Sequence, residues 1–229
     1  KHRLFNPQIK SNKKQIEDAV NLIANAKKPI FYIGGGCINS GPQASKLVRD
    51  FVKETSIPAT MTLMGLGTLP SSNKFSLGML GMHGMYEANL AMHECDVMIN
   101  IGARFDDRVT GRLDAFSPNS KKIHIDINAS NINKNIKVDV PIVGDIANIM
   151  NQILDIWKKN NVRTNKDNLK KWWAKIEEWK KIDCLKFEQT GNVIKPQHAI
   201  KRLYELTKDK NAIITTEVGQ HQMWAAQYY

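Results

Sequence analysis

The amino-acid sequence predicts an α/β protein built on a doubly wound parallel sheet. Over the first two-thirds of its 229 residues, short apolar runs alternate with segments of helical periodicity. This alternation is typical of parallel strands joined by crossover helices. Most of the apolar runs end in glycine or a polar residue, and ligands of such sheets lie beyond the carboxyl ends of the strands. The sequence therefore predicts both the fold class and the edge of the sheet that carries a site.

The strands of this sheet are predicted from five short apolar runs. They cover residues 30–33, 58–62, 97–101, 123–127 and 140–143. Residues 65–84, rich in Gly and Met, and residues 117–119 lack a sustained period and are predicted to be loops. Long loops inside compact α/β domains often serve a function.

The predicted crossover helices follow from apolar residues at helical spacing. One covers residues 15–26, with Ser11 or Asn12 available as its N-cap. A second begins after Pro42, and a third covers residues 146–157.

The composition changes after this third helix. Residues 160–168 read as a polar linker, and residues 169–187 as an amphipathic helix. The residues predicted to share one face of that helix, for packing rather than ligand binding, are Trp172, Ile176, Trp179 and Leu185. A further helix is predicted to start at Pro196. The apolar stripe predicted to face inward on it is Ala199, Ile200, Leu203 and Leu206.

Residues 212–216 read as a strand that opens another domain. We therefore divide the chain into an α/β domain (residues 1–158), a linker with an amphipathic helix (159–195) and the truncated start of a second α/β domain (196–229).

Charge and cysteine usage exclude several functional classes. The formal charge is +11, and residues 158–186 carry ten basic against four acidic side chains. Their spacing is that of an exposed helix, and no nucleic-acid-binding motif accompanies them. No apolar run approaches the ~20 residues of a membrane-spanning helix, and no secretory signal is visible. Cys37, Cys95 and Cys184 lack metal-site spacing, so we expect three packing residues in a reducing compartment.

Four predicted strands end in residues suited to a phosphate-containing dinucleotide. Glycines expose backbone N–H groups that cradle phosphate. Arginine can bind phosphate through two parallel hydrogen bonds, and aspartate accepts from ribose hydroxyls. The residues in question are Gly34, Gly35 and Gly36, then Thr62, Leu63, Met64 and Gly65, then residues 102–108, and Asp126 with Ile127.

Taken singly, these motifs leave alternatives open. The triple glycine lacks the third glycine of the dinucleotide fingerprint, because position 39 is Asn39, and it also suits a tight turn. The acidic and basic residues of 104–108 also suit a surface ion-pair cluster. His93 and His124 read as packed or surface histidines, and His83 is equally isolated in sequence. No nucleophile–base pair, metal cluster or paired-carboxylate site is apparent.

Three longer motifs carry a family resemblance. Residues 76–84 (SLGMLGMHG), 102–111 (GARFDDRVTG) and 218–224 (VGQHQMW) resemble, in order and separation, the catalytic large subunit of acetolactate synthase (acetohydroxyacid synthase). The resemblance covers essentially the whole chain. It implies the central FAD-binding domain of a thiamine-diphosphate enzyme, followed by a helical linker and the start of the diphosphate-binding domain.

The resemblance also implies roles for individual residues. The positions that resemble FAD contacts are Gly34, Gly35, Gly36, Thr62, Leu63, Met64, Leu80, Gly81, Met82, His83, Gly102, Ala103, Arg104, Phe105, Asp106, Asp126, Ile127, Asp145 and Ile146. Gln220 and His221 resemble residues that touch the diphosphate of thiamine diphosphate. Arg108 resembles the arginine that meets the carboxylate of the second 2-keto acid, with Met82 and Asp107 lining that channel.

The implied reaction decarboxylates pyruvate on thiamine diphosphate and joins the two-carbon unit to pyruvate or 2-oxobutyrate, in branched-chain amino-acid biosynthesis. FAD is structural in this family. The glutamate that activates thiamine diphosphate and the motif that binds Mg²⁺ belong to parts of the family's sequence that these residues do not match. We therefore expect the isolated fragment to form no acetolactate, and acetolactate from the purified fragment would refute this.

The resemblance further implies a homodimer or tetramer with a regulatory small subunit, in the bacterial cytoplasm or the plastid stroma. It implies neither a nucleic-acid nor a membrane partner. Two alternatives remain: another FAD-containing thiamine-diphosphate enzyme, of the glyoxylate carboligase or pyruvate oxidase type, and a non-catalytic nucleotide-binding module.

Overall fold

The computed structural model describes residues 12–229 and contains one parallel sheet within that range. The strands are β1 (Pro29–Ile33), β2 (Ala59–Met61), β3 (Ser76–Met79), β4 (Val97–Ile101), β5 (Lys121–Asp126) and β6 (Val140–Val143). Their order is β3-β2-β1-β4-β5-β6, and every neighbouring pair is parallel. The order reverses direction between β1 and β4, which is the switch point where ligands bind in doubly wound sheets. The predicted fold class is confirmed.

Helices cover both faces of this sheet. They are α1 (Lys13–Ala24), α2 (Gly35–Asn39), α3 (Pro42–Thr55), α4 (Tyr86–Glu94), α5 (Asp107–Thr110), α6 (Ile146–Lys159), α7 (Lys166–Lys180), α8 (Pro196–Thr207) and α9 (Gln220–Tyr228). Asn12 caps α1 by accepting a hydrogen bond from the Lys14 backbone N–H, whereas Ser11, the other predicted cap, lies outside the described residues.

The alternation of side chains along β1 divides the core into two clusters. Phe31 and Ile33 face the cluster formed with α1, α3 and α6, where the ring of Phe51 meets that of Trp157 at 5.2 Å. Ile30 and Tyr32 face the opposite cluster, formed with α4 and α7. Both clusters are nearly free of solvent, so the sheet is buried on both faces, as a parallel sheet requires.

Helix α7 is attached to the second of these clusters rather than standing apart as a spacer. Trp172 and Ile176 are buried in it, and the Trp172 indole N–H donates to the Pro29 carbonyl at 3.0 Å. The predicted packing of Trp172 and Ile176 is confirmed, but Leu185 was wrongly placed on the helix, because α7 ends at Lys180.

The prediction that residues 65–84 form only a loop is wrong. Residues 76–79 form β3, a sixth strand at the edge of the sheet. It escaped the sequence pattern because it is four residues long, has one neighbouring strand and shifts register beside β2. Gly78, with φ of +71°, interrupts any alternation.

Two predictions for the last part of the chain are also wrong. Residues 212–216 are exposed and form no strand, because no strand of the described residues lies beside them to complete a ladder. The predicted inward stripe of α8 is largely exposed, with Leu203 at 41% and Leu206 at 58% exposure. Helix α8 packs mainly against α9, where the rings of Tyr204 and Tyr229 meet at 5.5 Å.

The cysteines divide between interior and surface. Cys37 and Cys95 are buried as predicted, whereas Cys184 is exposed and its Sγ accepts the Tyr86 backbone N–H at 3.3 Å. None of the helices described between residues 12 and 229 has the length and apolar character needed to span a membrane.

Candidate functional site

A cavity of about 1030 Å³ lies at the carboxyl edge of the sheet. Its walls come from the segments that follow β1, β2, β3, β4 and β5, together with the start of α9. The loops that the sequence placed at separate strand ends therefore converge on one groove. This confirms the predicted convergence, and the volume lies at the upper end of the range of about 300–1,000 Å³ found for small-molecule sites.

The segments after β1 and β4 touch each other at the switch point. The Gly34 N–H donates to the Ile101 carbonyl at 2.8 Å, and the Gly36 N–H donates to the Gly102 carbonyl at 3.0 Å. A Cβ atom on Gly34 would lie 2.2 Å from the Gly102 oxygen. The glycines thus allow two loops to meet. Gly35 and Gly36 begin α2 rather than a simple turn, and both line the cavity.

The segment after β2 is a 3₁₀ turn (Leu63–Gly65) held by its cap. Thr62 Oγ1 accepts from the Gly65 N–H at 3.0 Å, and the Thr62 N–H donates to the Ile33 carbonyl at 2.9 Å. This leaves Met64 projecting at the cavity, 73% exposed.

The segment after β3 is fixed from two directions. Asn89 on α4 accepts from the Gly81 N–H at 2.8 Å and donates to the Gly81 carbonyl at 2.9 Å. The Met82 N–H donates to the Arg108 carbonyl at 2.9 Å, which joins this loop to α5. These hydrogen bonds position Leu80, Met82 and His83 along the cavity wall.

The segment after β4 is held by a fully buried amide. The Asn100 side chain donates to the Ala103 carbonyl at 2.8 Å and accepts the Ala103 N–H at 2.9 Å. Phe105, with φ of +56°, turns its ring into the core, between Tyr32 at 5.5 Å and His124 at 5.1 Å. Arg104 and Asp106 are thereby left facing the cavity.

The reading of the charged residues in this segment as surface ion pairs is confirmed, and their binding of a ligand stays a prediction. Arg104 donates to Asp106 at 2.6 Å and Arg108 to Asp107 at 3.0 Å, so they form ion pairs at the surface. All four also line the cavity. Exposed pairs of this kind contribute only about 0–1 kcal/mol, so a ligand can recruit either guanidinium at small cost.

Asp126 is the buried carboxylate of the site, at the end of β5. Its Oδ1 accepts the Asn128 N–H at 2.7 Å and its Oδ2 accepts from the Asn131 amide at 3.1 Å. Burial opposes ionisation, but these neighbours and the His124 ring, 3.8 Å from Oδ2, hold the pKa of Asp126 below its ordinary value. The carboxylate is therefore ionised at neutral pH and keeps further lone pairs for a ligand.

The cavity contains most, but not all, of the residues that the sequence singled out. Those that line it are Gly35, Gly36, Thr62, Leu63, Met64, Leu80, Met82, His83, Gly102, Ala103, Arg104, Asp106, Asp107, Arg108, Asp126, Ile127 and Gln220. The six that do not are Gly34, Gly81, Phe105, Asp145, Ile146 and His221.

Four of these six support the walls from behind. Gly34 and Gly81 pack against the backbones of the β4 segment and Arg108. Asp145 caps α6 and accepts from the Ser40 hydroxyl at 2.5 Å. Ile146 is buried in the core.

Sequence reasoning missed several residues of the cavity. They are Tyr32, Ile38, Asn39, Met79, Val109, Asn128, Asn131, Val218, Gly219, Gln222 and Met223. Asn128 and Asn131 lie two and five residues after the end of β5, where a ligand segment was a reasonable expectation. Tyr32 lies within an apolar strand and carried no such signal.

The lining divides into two chemically different regions. Met79 at the end of β3, Leu80 and Val109 form an apolar part, and Leu80 and Val109 pack in the same core cluster as Tyr32. Asp126, at the end of β5 on the other side of β1, belongs to a polar part. This arrangement suits a ligand with a planar apolar group at one end and hydroxyl groups at the other. Within the described part of the chain no cluster of three or more metal-ligating side chains occurs.

Comparisons with known proteins identify the family to which this chain is similar. The family described as "Thiamine pyrophosphate enzyme, central domain" matches residues 16–153. The chain is 44% identical to the acetolactate synthase large subunit of Haemophilus influenzae over 227 residues, which are 99% of this chain and 39% of that protein. It is 42% identical over the same shares to the acetolactate synthase isozyme 3 large subunit of Escherichia coli. It is 45% identical over 218 residues, 95% of this chain and 32% of that protein, to chloroplastic acetolactate synthase 1 of Nicotiana tabacum. The chain thus spans about two-fifths of the length of the bacterial relatives it matches.

Proposed function

The chain belongs to the thiamine pyrophosphate enzymes, whose central domain it contains, and from this premise we propose that it is the FAD-binding segment of an acetolactate synthase large subunit. In that enzyme pyruvate is decarboxylated and its two-carbon unit is ligated to pyruvate or 2-oxobutyrate. Relatives named acetolactate synthase, at 42–45% identity along nearly the whole chain, support the assignment.

The observation that carries this proposal is the single cavity shared by the loops of five parallel strands. A flavin dinucleotide is long, carries two phosphates at its middle and has an aromatic system at each end. The cavity offers a carboxylate acceptor for hydroxyl groups at Asp126, the backbone N–H of Gly35 at the start of α2, and apolar side chains at Leu80 and Val109. The residues present therefore fit FAD.

We assign the two halves of FAD by this polarity. Asp126 and Asn131 hold the ribose of the adenosine half, because an ionised buried carboxylate is a strong hydrogen-bond acceptor. Gly35 begins α2, where a backbone N–H has no carbonyl partner within the helix and can meet phosphate. Leu80 and Met82 contact the flavin half, since thioether and aliphatic groups pack well on an aromatic ring.

Arg108 is assigned to the 2-keto acid. Its side chain is 73% exposed at the cavity and held only by its neighbour Asp107. A guanidinium can bind the carboxylate of the acceptor through two parallel hydrogen bonds. Met82, 67% exposed on the adjacent loop, borders the same space.

The thiamine diphosphate supplies the carbanion chemistry of the reaction when it is bound. Gln220, at the start of α9, faces the same cavity as the flavin residues, and we assign it with His221 to the diphosphate of that cofactor. Neither the activating glutamate nor the Mg²⁺ motif is matched among these 229 residues, so both are assigned to the remainder of the large subunit.

We also propose the assembly and location of the enzyme. The resemblance supports a homodimer or tetramer, with a regulatory small subunit. Bacterial and chloroplastic relatives support the bacterial cytoplasm or the plastid stroma.

The test uses the complete large subunit that contains this segment. We expect the purified protein to hold one FAD per chain, released on denaturation, and to form acetolactate from pyruvate only with thiamine diphosphate and Mg²⁺. Formation of a different product from pyruvate would favour a sister enzyme. A protein that neither holds nor takes up flavin would contradict the proposal.

A further inference from the structure

Tyr32 is a buried polar side chain that the assignments above leave without a role. It lies on β1, is 1% exposed and still lines the cavity. Its hydroxyl has no hydrogen-bond partner among the residues that the structure describes. In the described chain the fully buried polar atoms without a partner do not include this hydroxyl, so solvent in the cavity reaches it.

The neighbours of Tyr32 explain why its hydroxyl stays unpaired. Phe105 covers the ring at a centroid distance of 5.5 Å. Asn100, the residue in register with Tyr32 on β4, uses its amide on both backbone groups of Ala103. Among the residues that the structure describes, neither of these neighbours therefore accepts a hydrogen bond from the Tyr32 hydroxyl.

Two charged residues of the cavity influence the ionisation of this hydroxyl. Burial raises the pKa of Tyr32 far above its ordinary value, the Asp106 carboxylate raises it further and Arg104 opposes them. Both charged residues line the cavity, as Tyr32 does. It is protonated at all physiological pH values and is available as a donor.

Three other residues provide a contrast. The Thr68 hydroxyl, the ring nitrogens of His124 and the indole N–H of Trp157 are fully buried and lack partners in the described part of the chain. None of the three lines the cavity, and Trp157 lies in the cluster on the opposite face of the sheet. Tyr32 differs because it lines the cavity.

We infer that the Tyr32 hydroxyl donates a hydrogen bond to the riboflavin half of the bound nucleotide. Leu80 and Val109 pack in the same core cluster as Tyr32 and line the cavity with it, whereas Asp126 ends β5, on the opposite side of β1 from β3. This placement selects the riboflavin half, and Tyr32 is thus a ligand-binding residue whose hydroxyl meets the nucleotide when the cavity is filled. This inference rests on the proposed binding of FAD.

The test compares wild type with Tyr32→Phe in the complete large subunit after removal of flavin. Flavin fluorescence quenching measures the affinities of FAD, FMN and riboflavin, and calorimetry measures that of ADP. We expect the dissociation constants of FAD, FMN and riboflavin to rise by about tenfold, the change that 1.4 kcal/mol produces, and that of ADP, measured by calorimetry, to stay unchanged. Tyr204→Phe, at an exposed tyrosine of α8, is the matched control and should change none of them.

The stability of the flavin-free proteins separates binding from a structural role. Because the hydroxyl has no protein partner, the urea midpoint of Tyr32→Phe should equal or exceed that of wild type. A lower midpoint would show that the hydroxyl stabilises the fold, and would overturn the inference. Unchanged FAD affinity in Tyr32→Phe, or a loss confined to ADP, would overturn it too. If wild type itself binds no FAD, the proposed function fails as well.

Discussion

A Cβ atom on Gly34 would lie 2.2 Å from the carbonyl oxygen of Gly102. The segments after β1 and β4 can therefore lie in contact only because position 34 has no side chain. Gly34 has φ of −108° and ψ of 178°, which any residue can adopt. Contact with Gly102, rather than backbone strain, is therefore what requires glycine at position 34.

The first prediction follows from this contact. Gly34→Ala should lower the free energy of unfolding by about 1–3 kcal/mol, because the two loops must separate to admit the methyl group. Urea unfolding of the 229-residue chain measures the change.

The matched control is Gly144→Ala. There a Cβ would meet only the end of the Ile149 side chain, at 3.1 Å, and the flexible side chain can move. Equal destabilisation by both substitutions would show that contact with the β4 backbone is not the reason for the glycine.

A second prediction concerns Asn100, whose amide holds Ala103 through two hydrogen bonds. Asn100→Asp keeps the size of the side chain but loses the donor and buries a charge. We expect a cost of about 2–4 kcal/mol, since an unpaired buried charge is expensive. Thermal and urea unfolding measure it.

The control is Asn148→Asp, in the first turn of α6. This residue is exposed, and a carboxylate near a helix N-terminus is favourable by about 0.3–1 kcal/mol. If Asn100→Asp were equally well tolerated, the amide would not be what fixes the β4 segment.

Most strands of the sheet could be predicted because a strand buried on both faces appears in the sequence as an uninterrupted apolar run. Strands β4 and β6 were predicted to the residue, and β5 within two residues at each end. Strand β3 was missed because four residues at an edge, with Gly78 among them, carry no such pattern.

Some residues of the candidate site could be predicted from the sequence and others could not, for a similar reason. Asp126 and Arg104 were predictable because they are charged residues at or just after the ends of apolar strands. Tyr32 was not predictable, because a tyrosine within a buried apolar strand gives the same sequence pattern as any other aromatic core residue. Only the structure shows that Tyr32 lines the cavity.

The third prediction is a pH dependence. The pKa of Asp126 in the folded chain lies below its ordinary value of 3.8, so the carboxylate contributes stability that is fully present above pH 3.8. That contribution disappears as the pH falls through the lower, folded pKa. The difference in unfolding free energy between wild type and Asp126→Asn should therefore shrink as the pH is lowered below about 4.

Asn131→Ala provides the companion variant for this series, because it removes the donor to Asp126 Oδ2. In this variant the pKa of Asp126 should lie closer to the ordinary value, so the loss of stability in acid should be smaller and should be complete at a higher pH. Parallel stability curves for wild type and Asp126→Asn from pH 2 to pH 7 would refute the assignment.

The fourth prediction tests the attachment of α7. Trp172→Phe removes the donor to the Pro29 carbonyl and leaves space in a core where Trp172 is 2% exposed. The expected cost is about 1–3 kcal/mol of unfolding free energy. Trp173→Phe loses a similar hydrogen bond, to the Ser56 carbonyl at 2.9 Å, but at a half-exposed side chain, so its cost should be smaller. Equal losses of unfolding free energy would show that the burial of Trp172 adds nothing to the attachment of α7.

The last prediction concerns the acceptor substrate and is made for the complete large subunit. Arg108→Ala should raise the KM for the acceptor 2-keto acid by at least about tenfold, because a charge-assisted hydrogen bond is worth about 1.5–3 kcal/mol. Bound FAD should be unchanged, since the exposed guanidinium of Arg108 supports no part of the fold: its ion-pair partner is the neighbouring Asp107. Arg112→Ala is the matched control, because Arg112 is similarly exposed, also pairs with an aspartate close in sequence, Asp114, and does not line the cavity. Steady-state kinetics with pyruvate and 2-oxobutyrate, with flavin content measured on the same samples, separates the two variants. If Arg108→Ala kept the acceptor KM of wild type, the carboxylate would have to be held by another cation, and Arg104, the second arginine that lines the cavity, would be the group to substitute next.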